Sequence, residues 1–546
     1  MLNDSHTPTW QDNRKTRLHK VGINALLVGM FTLTAALYAL LMARDRVPLT
    51  WLAGLAILGL AHWALAGWRR STPLDLPILG LLVLMPLNLA VTIDRGDTIP
   101  KIYGVILGAA LFYIIAQFVN IRGRLHLALL ALVALSVAIA GLGLVGTDWS
   151  SIKVIELPRV YDALPRLVEG VPRSQDGGIQ ANLVGGALAF LIPFLFSLLW
   201  DRGGFSLARI WDWRRDSRPL KIAYRILVIL SLLMVLFTLL LTQSRGGMVA
   251  ALVGVLAAAI WHERRFLWAI PVLFFNALLG WWFLAEANIT NVIRFLDTRD
   301  GFTITQRLGI FERALYLVQD FPISGTGIGT YSALINMFYI FSEPTETFTL
   351  SHAHNQFLVV ATDLGLPGLV LYAALLGGFA AMVVRTWPYA GRQVKAVLAG
   401  LAGGMLAHQV FGIMDAFMLG SKLAALFWIY LGLGAALYIH RGHFCEQYQA
   451  PRQVSLGRWE HLKAWLAFMF QGFAGWVGVS VVAVAFVHTN TILSLLLAVV
   501  GGIALGVLLV GVYEDTFLKR SKVMAVELTE DGIKTEDRGP GTEVRT

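Results

Sequence analysis

Apolar runs of about 20 residues recur along nearly the whole chain, each long enough to cross a bilayer core roughly 30 Å thick. No other feature restricts the fold so tightly. In lipid every backbone polar group needs a partner within the protein, which leaves helices or a closed barrel. A barrel would show shorter segments of alternating polarity, whereas the runs here are continuous. The composition agrees, with 57% hydrophobic and 14% charged residues among 546 and a mean hydropathy of +0.66. The expectation is an all-α polytopic membrane protein with about 14 transmembrane helices. The expected spans are 21–42, 50–68, 74–92, 102–119, 126–146, 181–200, 222–243, 247–262, 266–286, 355–384, 395–418, 422–439, 464–487 and 491–513.

Charge orients these spans. With the N-terminus in the cytoplasm, 29 of the 44 Lys and Arg residues fall on the cytoplasmic side and 14 outside. That bias follows the positive-inside rule and puts both termini in the cytoplasm. The first run, Val21 to Met42, is too long for a signal-peptide core and is read as a retained anchor. The net charge of +10 then reflects topology and anionic inner-leaflet lipid rather than nucleic-acid binding. Cys445 is the single cysteine, which excludes an intrachain disulfide and a thiolate metal cluster.

The expected organisation is a cytoplasmic N-terminus (1–20), a main membrane domain (21–440) and a cytoplasmic linker (441–463), then an extra helix pair (464–513) and a disordered cytoplasmic tail (514–546). Two longer external loops, 147–180 and 287–354, stand out, because long loops in compact proteins are usually functional or disordered.

Three polar clusters converge on the external side. In "GFTITQRLGIFERALYLVQDFPISGTGIGTY", Thr303 and Gln306 have capping-box spacing, so a helix should start at Thr303. Its apolar stripe is read as Ile304, Leu308, Phe311, Leu315 and Val318, with Arg307 off that stripe. In "LLTQSRGGMVAAL", Arg245 ends one span at the membrane edge. Such an arginine can complement the helix dipole and snorkel, or wait for an anion. In "SHAHNQFLVVATDLGLPG", Ser351 can cap the tenth span, which puts His354 in its first turn. The positive end of the dipole keeps such an imidazole neutral and able to accept a proton. Asn355 can orient a neighbour, and His352 is read as an ordinary interfacial histidine. His408 and Asp415 are read within the eleventh span, either as an intramembrane proton relay of a transporter or, with Asp415 near the outer face, in support of the site. Two arginines suit a diphosphate and a neutral histidine suits deprotonation of a hydroxyl. Together they fit a lipid-linked anionic donor and an alcohol acceptor.

At these residues the chain resembles the O-antigen ligase/polymerase superfamily. His354-Asn355, nine residues, then Gly365-Leu366-Pro367-Gly368 fits the family's His-led pattern. "QRLGIFERALYLVQDFPISGTGIGTY" looks like its Arg-led external helix, with Phe311 where Trp is usual. "QSRGG" looks like its outer-edge arginine turn, and "QANLVGGALAFLIPF" like its Asn-containing span start. The last two spans and the tail depart from the family.

The resemblance implies a GT-C-like helical bundle in the bacterial inner membrane, its active site facing the periplasm or cell exterior. It implies an inverting glycosyltransferase without metal or cofactor. The donor would be an undecaprenyl-diphosphate-linked glycan and the acceptor a membrane-bound glycolipid or glycan. Arg245 and Arg307 would bind the diphosphate and His354 would activate the acceptor, with Asn355, Gln306 and Asp415 in support. Ligase, O-antigen or exopolysaccharide polymerase and protein O-oligosaccharyltransferase remain alternatives on the same site. A lipid-linked glycan flippase is the alternative of another class, and it would carry its polar residues at the midplane.

Overall fold

The computed structural model describes residues 10–44, 47–66, 71–147, 149, 179–200, 218–285, 304–338, 352–445, 448 and 458–519. The long helices are α1 (Trp10–Arg44), α2 (Leu49–Ala66), α3 (Asp75–Val91), α4 (Arg95–Phe118), α5 (Arg122–Gly146), α6 (Ala181–Trp200), α7 (Arg218–Thr242), α8 (Arg245–His262) and α9 (Ala269–Ala285). They continue as α10 (Ile304–Asp320), α11 (Tyr331–Phe338), α12 (Gln356–Thr386), α13 (Arg392–Phe411), α14 (Ala425–Ile439), α15 (Arg458–Ala485) and α16 (Thr491–Tyr513). Among the described residues, 11 helices are long and apolar enough to cross a membrane, and no β-strand pairs beyond one isolated bridge. The protein is an all-α polytopic membrane protein. A helix lies within each expected span, but α3 and α9 are only 17 residues long and the apolar part of α2 is short.

The inner helices meet through small residues, as membrane helices do when lipid is as apolar as their own side chains. Gly254 of α8 and Gly403 of α13 show how close they come: a Cβ on either would sit 2.5 Å from the other's carbonyl oxygen.

The helix that positions the site, α12, is broken in its middle. Gly365 has φ +70°, a conformation costly for any residue with a Cβ, and Pro367 has no N–H to give. The two carbonyls this break orphans, of Thr362 and Asp363, are taken up by the segment after α10. Thr326 N donates to Thr362 O at 2.8 Å and Gly327 N to Asp363 O at 3.3 Å, while Leu366 N turns to Pro322 O at 2.8 Å. Asn88 locks this joint from α3: its Nδ2 donates to Asp363 O and its Oδ1 accepts from Ile328 N, both at 2.7 Å. The glycine-rich run is thus a plug that satisfies a broken helix about 10 Å along its axis from its first residue.

The plug also seats α10. Ile310, Ala314 and Leu317 of α10 form a separate small core with Tyr331, Leu334 and Ile335 of α11, over Ala353, Leu358, Val359 and Ala416. The sequence-based stripe holds in part, since Val318 is buried and Phe311 and Leu315 pack against this small core. Leu308 is exposed, and the inward face runs through Arg307, Ile310, Ala314 and Leu317, so the arginine points toward the bundle. Thr303 lies outside the described residues, although the helix does begin at the next position.

The extra helix pair is packed tightly. A Cβ on Gly506 of α16 would lie 2.1 Å from Ala374 O of α12, and Trp476 of α15 donates to Pro367 O at 3.0 Å. Gln319 of α10 donates to Thr491 at the start of α16. Beyond α16 the chain continues as a π-helical turn, Glu514–Lys519, and the rest of the tail lies outside the described residues. So does most of the 147–180 loop.

Candidate active site

The residues after α13 form the hub of the site. The span expected to run to 418 stops at Phe411, and Gly412 to Asp415 turn back instead. Tertiary hydrogen bonds hold that turn open. Gln356 N donates to Gly412 O at 2.6 Å, Asn355 Nδ2 donates to Ile413 O at 3.1 Å, and Gln356 Oε1 accepts from Phe417 N at 2.9 Å. Asp415 is therefore a turn residue at the mouth of the bundle and not an intramembrane relay. His408, one helical turn before the end of α13, stacks on Phe417 and stays apart from it.

The start of α12 also differs from expectation. Ser351 lies outside the described residues, and the cap is Asn355, whose Oδ1 accepts from Phe357 N at 3.0 Å and Leu358 N at 3.1 Å. His354 thus precedes the helix instead of sitting in its first turn. Its φ is +46°, in the left-handed region that residues with a Cβ seldom occupy. This bends the ring back over the turn, where Nδ1 lies 3.4 Å from Asp415 Oδ1. With Nδ1–H directed at the carboxylate, Nε2 is the proton-accepting atom of the ring. His352 arrives on the same oxygen, its Nε2 at 3.5 Å, while its Nδ1 accepts from His354 N at 3.1 Å.

Electrostatics match this pairing. Burial holds the His352 imidazole down to about 4, against the opposing pull of Asp415. Burial alone would raise the Asp415 carboxyl, but the hydrogen bond from His354 and the fields of both histidines bring it below its ordinary value. The three ligand-type atoms of His352, His354 and Asp415 lie within 4.8 Å of one another, a spacing that a metal ion could also use. The His354 ring is hydrogen-bonded to Asp415, and His352 Nε2 faces the same carboxylate oxygen at 3.5 Å.

The two arginines are held by different elements. Arg307 Nη1 approaches Met414 Sδ at 3.7 Å, beside Asp415. Its Nε is shielded from solvent and has no hydrogen-bond partner among the described residues. Such an atom in a charged group is costly unless a ligand completes it. Arg245 does not end a helix, as the sequence suggested. It is the first residue of α8, behind an N-cap in which Ser244 Oγ accepts from Gly247 N at 3.2 Å. The next residue, Gly246, faces the Phe411 ring at the end of α13. At a helix N-terminus the dipole opposes a cation, so dipole complementarity no longer explains this arginine. Cation and dipole together attract an anion there. Gln243, two residues earlier, has φ +49°. Among the described residues, Gln243 and His354 are the two non-glycine positions with positive φ, one just before α8 and the other just before α12. Strain of that kind concentrates where function requires it.

The structure therefore brings His354, Asn355, Asp415 and Arg307 to one turn, while Arg245 begins α8, whose next residue, Gly246, faces Phe411 at the end of α13. Gln306 lies in α10, next to Arg307, but its side chain is outside the described residues. Sequence reasoning missed His352, the break at Gly365 and the Asn88 lock. The GLPG tetrapeptide was the one signal that could have pointed to the break.

Residues 229–373 match the family model described as O-antigen ligase. The match runs from α7 through the break in α12, and it includes Arg245, Arg307 and His354. It supports the O-antigen ligase superfamily that the sequence resembles. Asp415 and the last helix pair lie beyond it. No curated protein matches the chain.

Proposed function

We propose that this chain is an inverting membrane glycosyltransferase of the O-antigen ligase type. It moves a glycan from an undecaprenyl-diphosphate donor to an acceptor hydroxyl at the outer side of the bacterial inner membrane. The observation that carries this reading is the His354–Asp415 pair on the same turn that Arg307 reaches with an unsatisfied Nε. Asp415 orients His354 so that Nε2 takes the acceptor hydroxyl proton. The oxygen then attacks the anomeric carbon from the face opposite the diphosphate, which inverts the configuration. The C–O bond to phosphate breaks, and its electrons leave on the diphosphate. Arg307 and Arg245 bind that developing charge, where fixed donors act most strongly. The 21–440 region would form the catalytic domain, with 464–513 as its brace.

The test is turnover by purified protein in liposomes, given the undecaprenyl-linked glycan with and without a glycolipid acceptor. A glycosylated acceptor and free undecaprenyl diphosphate are expected. Intact donor under both conditions would contradict the reading, and longer carrier-linked chains without acceptor would identify a polymerase. Sidedness needs a separate probe, because Cys445 is buried. In a Cys445→Ser background, Thr489→Cys at the exposed His354 end should react with an impermeant thiol reagent in intact spheroplasts. Gly391→Cys at the opposite end should not react, and the reverse pattern would invert the orientation.

A further inference from the structure

Seven of the chain's twelve histidines lie at or beyond position 352, and one of them has no role in the reaction above yet is the best determined. His352 is buried, with a polar group facing each ring nitrogen. Nδ1 accepts the backbone N–H of His354, so the proton of this neutral ring is on Nε2, which faces Asp415 Oδ1 at 3.5 Å. The two imidazoles stand with ring centres 4.4 Å apart. The groups that face His352 are Asp415 from the turn after α13, His354 from its own segment and Lys101 from α4. Arg307 of α10 lies beyond Asp415, against Met414.

We propose that His352 is the positioning residue of the base, holding His354 in its left-handed backbone through Nδ1 and dividing the Asp415 carboxylate with it through Nε2. The inference rests on the reading of His354 as proton acceptor. Without the acceptor at Nδ1, the backbone of His354 loses the hydrogen bond that offsets the strain of its left-handed conformation. Without the Nε2–H donor, the Asp415 charge acts undivided on His354 and favours its cationic form. The two functions use different atoms of one ring, so they can be separated.

Asparagine sets an amide oxygen near the place of Nδ1, and glutamine sets an amide N–H near the place of Nε2. The test is the pH profile of kcat/KM, with kcat and melting midpoint, for the full-length protein in liposomes with undecaprenyl-linked glycan and acceptor. His352→Asn should lower kcat by only a few-fold and move the acid limb to higher pH. His352→Gln should leave the acid limb in place and lower kcat by about tenfold, roughly the loss of one such hydrogen bond. His352→Ala should do both. Equal profiles for Asn, Gln and wild type would overturn the proposal. So would a loss of melting temperature in all three variants with neither kcat nor the limb changed. His354→Ala serves as the control. If it stays active, the base reading has failed. If it is inactive while the His352 series is unmoved, only the positioning role has failed.

Discussion

At the end of the bundle away from His354, Asp75 accepts from Thr72 N and Oγ1 at 3.1 and 2.7 Å, Tyr113 OH at 3.2 Å and Trp465 Nε1 at 3.0 Å. Glu514 nearby pairs with both Arg385 and Arg441, and Arg441 also lies over the Tyr438 and Tyr448 rings. At the other end, Asp415 faces His352 and His354 of one segment and accepts from the adjacent Ala416 N, but there the surrounding set is incomplete. Arg307 keeps an unpartnered Nε, and His354 is held at positive φ. The first cluster joins α3, α4, α12, α15 and the end of α16, and among the described residues its carboxylates are matched by donors. The second has strain and spare donors, as expected where binding and chemistry take place. On the proposed function, the first end is structural and the second is where binding and chemistry take place. Substitutions should therefore affect stability at one end and turnover at the other.

Asp415→Asn should have the largest effect among the supporting residues. It keeps the shape but turns a shared acceptor into a partial donor facing two ring N–H groups. Turnover should fall by about 10²-fold or more, the scale of a misoriented general base, with the melting midpoint moved far less. Glu514→Ala is the converse. It leaves the buried Arg441 without its carboxylate, a loss of roughly 2–3 kcal/mol after discounting for partial exposure. Melting in detergent should drop by several degrees with turnover per folded molecule unchanged. Loss of activity in the folded fraction would break the division between the two ends.

Arg307→Lys comes next. It preserves the charge and removes the planar fork, so about a tenfold loss of kcat is expected, and alanine should do worse. Lysine with full activity would return this arginine to a packing role. Trp465→Phe should have the smallest effect, because Asp75 keeps its other donors. It should cost about 1 kcal/mol of stability, with kcat and KM unaffected.

The sequence made the helices legible because bilayer thickness fixes how long an apolar run must be. It was less informative about how helices face one another. In a membrane the core and the lipid are equally apolar, so a stripe such as Ile304, Leu308 and Leu315 does not tell which side is buried. That ambiguity turned Arg307 outward in the sequence reading, whereas it faces Met414. The end of α13 was hidden for a related reason. "GIMDAFML" continues the apolar pattern, and only bonds from Asn355 and Gln356 stop the helix at Phe411. His352 and His354 alternate in sequence, which places them on opposite sides of any regular element. A single left-handed residue brings both rings to one carboxylate, and nothing local in "SHAHN" announces it.

The central claim is that the His354 end performs proton transfer, and His354→Ala tests it most directly. Turnover of undecaprenyl-linked glycan onto acceptor should be measured alongside donor binding and melting in the same preparation. The account predicts a fall in turnover of about 10²–10⁴-fold, with donor affinity and melting midpoint close to wild type. Turnover near the wild-type rate in a folded, donor-binding variant would contradict it.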